Sequence, residues 1–394
     1  MRTVLGLLFV AVALTIVAAI HGYIWVRMIR DTGLPPQWRT VATVALIGLG
    51  VSVPVTMILS HTLPFRIARV VLFAPFCWMG LLLLVLTALV GWDLVQWAIA
   101  LTWRAMGEGP LDPGRRQWLA RVGAAAVTAT ALGGGALAVA GAARFPVVRR
   151  LEVALSKLPP GMDGFTIVQL SDLHLGITLG SAWLKRVVET TNALQPDLVA
   201  ITGDLVDGTV RRVGLEVQPI AQLRARFGTY FVTGNHEYYA GVAAWLPVLE
   251  QYGIRVLRNE HVWIEKGEDR FVLVGVDDYN AGGMAPGHGP DLTRALAGVP
   301  SECETVLLAH QPRAVVEASR RDVGLVLSGH THGGQIWPWH HLIRVQQPYR
   351  FGLHRHGART QVHVTAGTGY WGPPMRLGTR GEIVVIVLRS ERRG

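Results

Sequence analysis

Apolar residues are spread unevenly along this chain. Residues 4–26, 41–60 and 70–90 form long apolar runs without Asp, Glu, Lys or Arg, and 122–143 forms a fourth that is richer in Ala and Gly. Each approaches the roughly 20 residues that cross a hydrocarbon core as a helix. A buried core helix rarely runs so far without a charge, so the pattern predicts four membrane spans. The first is not expected to be a cleaved signal peptide, because two similar runs follow closely. Trp92, Trp97 and Trp103, with Asp93 among them, follow the third run. Residues 91–106 are therefore expected to be interfacial and too short for a further crossing.

From residue 145 the pattern changes. Charges recur regularly, and short β-branched runs alternate with polar stretches of helical length. Residues 147–155, 165–170, 198–202, 229–233, 271–276, 305–309, 323–327 and 383–388 read as strands. Residues 182–193 and 241–252 read as helices, the first ending before Pro196. Strand–helix alternation predicts an α/β domain. The expected division is a helical membrane region over 1–145 and a catalytic domain over 146–394.

Composition sharpens this picture. Half of the residues are apolar and 16% are charged, against about 25% charged in ordinary soluble chains. That excludes a disordered chain or a coiled coil. The formal net charge is +10, but the basic residues are almost all Arg and lie scattered beside the apolar runs. Such a distribution fits membrane flanks and not a nucleic-acid face, so no nucleic-acid partner is expected. The two cysteines, Cys77 and Cys303, exclude a disulfide framework and argue against a Cys metal site.

Orientation is not set by the Arg count, since seven basic residues flank the spans on either side. Gly114-Arg115-Arg116-Gln117-Trp118-Leu119 precedes the fourth run and resembles a twin-arginine export signature. On that reading Arg115 and Arg116 face the cytoplasm. The protein is then a multi-pass cell-membrane protein whose catalytic domain is extracytoplasmic.

Five polar clusters follow five of the strands directly. They are Ser171-Asp172-Leu173-His174, Gly203-Asp204-Leu205-Val206-Asp207, Gly234-Asn235-His236-Glu237, His310, and Gly329-His330-Thr331-His332-Gly333-Gly334. Groups at the carboxyl ends of strands converge on one crevice. A single strand-end Asp or His is usually a cap or a satisfied polar group. Five in sequence, all built from Asp, Asn and His, point to a shared site. Oxygen and imidazole donors without a thiolate suit a pair of borderline divalent metals, Mn, Fe or Zn. An Asp can bridge two ions with its two carboxylate oxygens. Two such ions clamp a phosphoryl group and generate hydroxide for in-line attack at phosphorus.

The order D-x-H, G-D-x-x-D, G-N-H-E, a later His and G-H-x-H resembles the calcineurin-like metallophosphoesterase superfamily over residues 151–388. Residues 167–176 and 329–335 look most like its bacterial membrane-associated or exported branch, related to UDP-diacylglucosamine pyrophosphatases. The resemblance implies a four-layer α/β sandwich of two mixed β-sheets flanked by helices, with the metals at the strand ends. It implies that Asp172, His174 and His332 bind one metal, that Asn235, His310 and His330 bind the other, and that Asp204 bridges them. It assigns His236 to charge stabilisation or leaving-group protonation, with Asp207 orienting it through a carboxylate–imidazole hydrogen bond.

The expected function is therefore membrane-anchored hydrolysis of a phosphoester or pyrophosphate bond. A lipid-linked or envelope substrate, such as a UDP-diacylglucosamine-like precursor, suits a tethered site. The alternative is a catalytically silent membrane receptor or scaffold, for which a missing ligand would be the mark; none is missing. Arg313 is expected to be a surface residue, with a phosphate contact as the alternative, and Arg376 could clamp a phosphate from a Gly- and Pro-rich loop bordering the cleft. Asp277 and Asp278 are expected to cap loops. His340, His341, His354, His356 and His363 are expected to be solvated loop residues and not a third metal site.

Overall fold

The computed structural model describes residues 2–107, 109 and 112–391. The chain divides into two compact units, Met1–Ala140 with Gly372–Met375, and Gly141–Trp371 with Arg376–Gly394.

The first unit is helical: α1 (Arg2–Trp25), continued by a π-turn over Val26–Arg30, α2 (Pro36–Thr62), the short α3 (Phe65–Val71), α4 (Phe73–Ala105) and α5 (Pro113–Ala143). Pro36 and Pro113 open α2 and α5, where a missing N–H costs nothing. Hydroxyls inside the helices bond back to carbonyls four residues earlier, as Thr43 does to Arg39 and Thr128 to Ala124. Four helices, α1, α2, α4 and α5, are long and apolar enough to cross a membrane by length and composition. Residues 91–105 continue α4 as one helix with the third apolar run, 33 residues in all. No proline interrupts that stretch, and the charge of Asp93 is met by Tyr23 and Arg27.

The second unit carries β1 (Val147–Leu155), β2 (Thr166–Leu170), α6 (Ser181–Ala193), β3 (Leu198–Ile201), α7 (Val210–Val217), β4 (Thr229–Phe231), α8 (Asn235–Ala240) and α9 (Val242–Gln251). It continues with β5 (Ile254–Val256), β6 (Glu260–Lys266), β7 (Asp269–Gly275), α10 (Leu292–Ala295), β8 (Thr305–Leu308), α11 (Val315–Arg320), β9 (Leu325–Ser328), β10 (Gly352–Arg355), β11 (Gln361–Val364) and β12 (Glu382–Ser390). The strands form two six-stranded sheets, ordered β1-β12-β2-β3-β4-β5 and β10-β11-β9-β8-β7-β6. Both are mixed. β2, β3, β4 and β5 run parallel, as do β7, β8, β9 and β11, while β12 and β2, β6 and β7, and β10 and β11 pair antiparallel.

Alternation along the strands builds the layers. Ile167, Leu198, Ala200, Phe271, Leu273, Val306, Leu308, Leu325, Leu327, Val384 and Ile386 interdigitate in one core between the sheets. Their neighbours Val272, Val274, Leu307, Val326, Val362 and Val364 point the other way and pack with Leu292, Ala295, Val315 and Ala318 of α10 and α11. Burial on both faces explains why β8 and β9 read as continuous apolar runs and not as alternating ones. The result is a four-layer α/β sandwich. Its parallel strands β2, β3 and β4 in one sheet and β8 and β9 in the other all end toward the loops that hold the polar clusters.

Candidate metal centre

The five clusters meet. Asp172, His174 and His332 form one group of potential ligands, and Asp204, His310 and His330 form a second, the ligand atoms of each lying within 4.8 Å of one another. In the first, His174 Nε2 lies 3.0 Å from His332 Nε2, and His332 Nε2 lies 3.5 Å from Asp172 Oδ1. In the second, His310 Nε2 lies 3.1 Å from Asp204 Oδ2 and 3.2 Å from His330 Nδ1. Four donors about 2 Å from a cation stand roughly 3–4 Å from one another, so both spacings fit a bound ion.

Asp204 faces both groups through a single atom. Its Oδ2 is 3.1 Å from His310 Nε2 and 3.8 Å from His174 Nε2. Its Oδ1 accepts the backbone N–H of His236 at 2.9 Å. Sequence reasoning gives each ion one carboxylate oxygen; here only Oδ2 is turned to both groups. Asn235 is buried, and its Oδ1 has no hydrogen-bond partner. An orphaned buried carbonyl oxygen is costly unless an electropositive group meets it. This is the position expected for an amide ligand, and the donor set as a whole fits two divalent cations.

Backbone conformation explains how short loops aim so many groups at one point. Asp172, His174, Asp204, His330 and His332 all have φ between 47° and 70°. Non-glycine residues in this region each cost about 1–3 kcal/mol and persist where surroundings overdetermine them. The surroundings do so here. The carboxylate of Asp172 accepts the backbone N–H of His330, and the buried Glu237 carboxylate accepts the N–H groups of Asp204, Leu205 and Gly234. Gly234 must be glycine for a steric reason. A Cβ there would stand 2.2 Å from Asp204 Oδ1 and 2.6 Å from Asp204 N. Glu237 was missed by sequence reasoning, although its place three residues after Gly234, opening α8, is a capping-box position.

His236 and Asp207 lie beside the first group. Asp207 Oδ1 accepts from His236 Nδ1 at 2.7 Å and from His174 Nδ1 at 2.8 Å. One carboxylate oxygen thus steers both a potential ligand and the neighbouring imidazole. Burial works against a charge on His236, but Asp204 and Asp207 outweigh it and push its pKa up to about 9. Burial pushes Asp207 upward, yet His174 and His236 bring it to about 2. Burial likewise raises Asp204, but His310 and His236 hold it well below the usual carboxylate range. Burial and the charge of His310 drive His330 down to about 3. Burial, with His174 and Arg376, holds His332 well below an ordinary imidazole. Neutral imidazole is the form that binds metal.

Other candidates lie elsewhere. Arg376 is not available to a phosphate: it is buried and donates to the carbonyls of His332, Ala366 and Gly369. It staples the His332 loop. Arg313 lies over the Tyr279 ring at 4.5 Å. Asp277 is no simple loop cap, since it pairs with Arg258 through two bonds of 2.9 Å. Asp278 accepts from Asn280 N and from the Gln311 side chain. His363 is buried against Gln169, not solvated. His340 and His341 lie ring against ring at a tilt of 38°, and His354 and His356 contact Tyr349. Among the described residues none of these five histidines belongs to a group of three potential ligands.

Residues 165–334 match the calcineurin-like phosphoesterase family. The chain is 45% identical over 256 residues to a zebrafish transmembrane protein with metallophosphoesterase domain, an alignment covering 63% of this chain and 59% of that protein. It is 42% identical over 304 residues to the Bos taurus protein of the same description, covering 74% and 67%. An uncharacterized metallophosphoesterase of Bacillus subtilis is 32% identical over 291 residues, covering 70% and 98%. The chain thus spans about three fifths of the length of the zebrafish relative.

Proposed function

We propose that this chain, which belongs to the calcineurin-like phosphoesterase family, is a membrane-anchored hydrolase that cleaves a phosphoester or pyrophosphate bond of a lipid-linked or envelope substrate. The observation that carries this reading is the pairing of two His–carboxylate groups through Asp204 Oδ2, beside the unpartnered Asn235 Oδ1. Asp172, His174 and His332 would hold one divalent cation, and Asn235, His310 and His330 the other, with Asp204 shared. Such a pair supplies Lewis-acid polarisation of a phosphoryl group and acidifies water at neutral pH.

The remaining work falls to this chain's own side chains. His236 offers Nε2 to the leaving oxygen while Asp207 fixes its Nδ1. Asp207 also holds the Nδ1 proton of His174, which leaves Nε2 of that ring turned toward His332 and Asp204. Burial of Asp172, Asp204 and His310 excludes water and strengthens every charge interaction within the site. All seven ligand positions are filled by ligating residue types, which favours a working enzyme over a silent receptor.

Four membrane-length helices and relatives described as transmembrane support the anchor. The Arg115-Arg116 pair in the first turn of α5 supports an extracytoplasmic catalytic domain. A reporter fused after Gly394 tests this: alkaline phosphatase activity is expected, and a fluorescent reporter that folds without phosphatase activity reverses the orientation. The reaction itself is tested on the full chain with Mn, Fe or Zn against phosphomonoesters, phosphodiesters and pyrophosphate-linked lipids. Turnover of a lipid pyrophosphate that stops with chelator is the expected result. No turnover of any class in the metal-loaded protein would contradict the reading.

A further inference from the structure

Between Asp322 and Glu382 the sequence holds no acidic residue, while Arg344, Arg350, Arg355, Arg359, Arg376 and Arg380 fall within that stretch. Four of these are engaged inside the domain: Arg359 pairs with Glu304 and Asp322, and Arg350, Arg355 and Arg376 bond backbone carbonyls. Arg344 and Arg380 are exposed. The same stretch exposes large apolar side chains. Trp337 and Trp371 are 52% and 54% exposed, and Leu342 and Val345 reach 55% and 82%.

These groups form one rim. The Gln335 side chain donates to the Trp371 carbonyl at 2.8 Å and accepts the Trp371 N–H at 3.0 Å. Trp337 N donates to Leu377 O, and Leu377 N donates to Gln335 O. The loop carrying Trp337 and the turn Trp339–Val345 is thus bonded to the loop carrying Trp371. The rim borders the candidate centre, because the Trp371 ring lies 5.8 Å from the His236 ring at 75°.

Singly exposed apolar residues need no explanation, and Leu215 on α7 is one. A cluster of Trp, Leu and Val with Arg and no acid is different. Indole rings settle at the headgroup level of a bilayer, aliphatic side chains enter just below, and guanidinium groups pair with lipid phosphate. Four helices of this chain are long and apolar enough to cross a membrane, so a bilayer is the partner this surface chemistry fits. We propose that the rim of Trp337, Trp339, Leu342, Val345 and Trp371, with Arg344 and Arg380, docks on the headgroup layer of an anionic bilayer. This rests on the reading of the site as one that acts on a lipid-linked substrate. It adds that the substrate phosphate is drawn directly from the membrane surface across this rim.

The test uses the full chain in lipid nanodiscs, with Cys77→Ala and Cys303→Ser and one new cysteine at a time, Leu342→Cys, Val345→Cys or Leu215→Cys, labelled with an environment-sensitive fluorophore. Discs contain phosphatidylcholine alone or with phosphatidylglycerol, each with or without doxyl-labelled lipid. Labels at 342 and 345 are expected to be quenched by doxyl lipid, more strongly in anionic discs, while the label at 215 is not. Adding Arg344→Gln and Arg380→Gln is expected to weaken the anionic preference about fivefold per arginine.

Unquenched labels at 342 and 345 in both discs overturn the proposal. So does equal quenching at 215. Shielding that grows with protein concentration in detergent instead assigns the rim to a second copy of the chain and also overturns it. Hydrolysis of bis(p-nitrophenyl) phosphate by the same labelled proteins with Mn separates the two failures. Quenching without hydrolysis removes the enzymatic reading alone, and hydrolysis without quenching removes the rim alone.

Discussion

Replacing Asp207 by Asn probes the link between metal binding and acid chemistry in one step. Asp207 Oδ1 takes two imidazole protons, from His174 Nδ1 at 2.8 Å and His236 Nδ1 at 2.7 Å. The Asn carbonyl oxygen occupies the same place and can accept both, so the geometry survives and only the charge is lost. A hydrogen bond to a charged group is worth about 1.5–3 kcal/mol against about 0.5–1.5 for a neutral one, a loss near 1 kcal/mol for each imidazole. On the His174 side, that loss should lower affinity for the ion at the first group about fivefold, just below the roughly 10–100-fold usual when a partner behind a ligating histidine is lost altogether. On the His236 side, kcat with saturating Mn should fall about 5–10-fold, from the roughly 1 kcal/mol lost there. The pH profile gives a separate sign. Asp207 helps to raise His236 to about 9, so its acid form is present below that pH and is lost as pH rises through it. Removing the charge lowers that pKa, and the alkaline limb of kcat should move to lower pH. Asp207→Ala should be worse than Asp207→Asn, because two buried N–H groups then lack an acceptor at about 1–3 kcal/mol each. Metal titration followed by kcat on bis(p-nitrophenyl) phosphate measures all three quantities. An Asp207→Asn protein with unchanged metal affinity, unchanged kcat and an unmoved alkaline limb would refute the reasoning and leave Asp207 a turn residue.

Asp204→Asn should lower metal content at both groups together, since one oxygen faces both; elemental analysis showing a fully loaded, fully active variant would contradict this. His236→Gln should keep its metals and lose about 10²–10⁴ in kcat on alkyl phosphoesters. The loss should be much smaller with a p-nitrophenolate leaving group, and an equal loss on both would make His236 a charge stabiliser only. Gly234→Ala should destabilise the domain by about 1–3 kcal/mol through the clash with Asp204, read as a lowered denaturation midpoint together with lost activity.

The site was more legible than the scaffold around it. Most of the five clusters could be read because they follow strands buried on both faces, and such strands print as short apolar runs such as residues 305–308 and 325–328. What escaped lies at sheet edges or in polar company. β5 is three residues long, and β10 is the Gly-Leu-His-Arg edge of its sheet within a His- and Arg-rich stretch. β6 carries Glu260, His261 and Lys266 at half-buried positions and only Glu265 exposed, so its alternation is weak. Residues 91–105 gave no sign that they continue the helix of the third apolar run, nor that Asp93 pairs with Arg27. Arg376 looked like a phosphate clamp because an Arg in a Gly- and Pro-rich loop gives no sign of burial. Its role depends on three carbonyls that only the folded loop brings together. The rim of exposed aromatics likewise depends on Gln335 joining loops 36 residues apart in sequence.

The central claim is that two cations, shared through Asp204, sit where the five loops converge. Elemental analysis of the full chain, purified in detergent without chelator and compared with Asp204→Asn, addresses it most directly. The account predicts close to two divalent ions per chain, falling in the variant at both positions together with hydrolysis of bis(p-nitrophenyl) phosphate. A chain that hydrolyses this ester with one ion or none, or an Asp204→Asn variant that retains both ions, would contradict it.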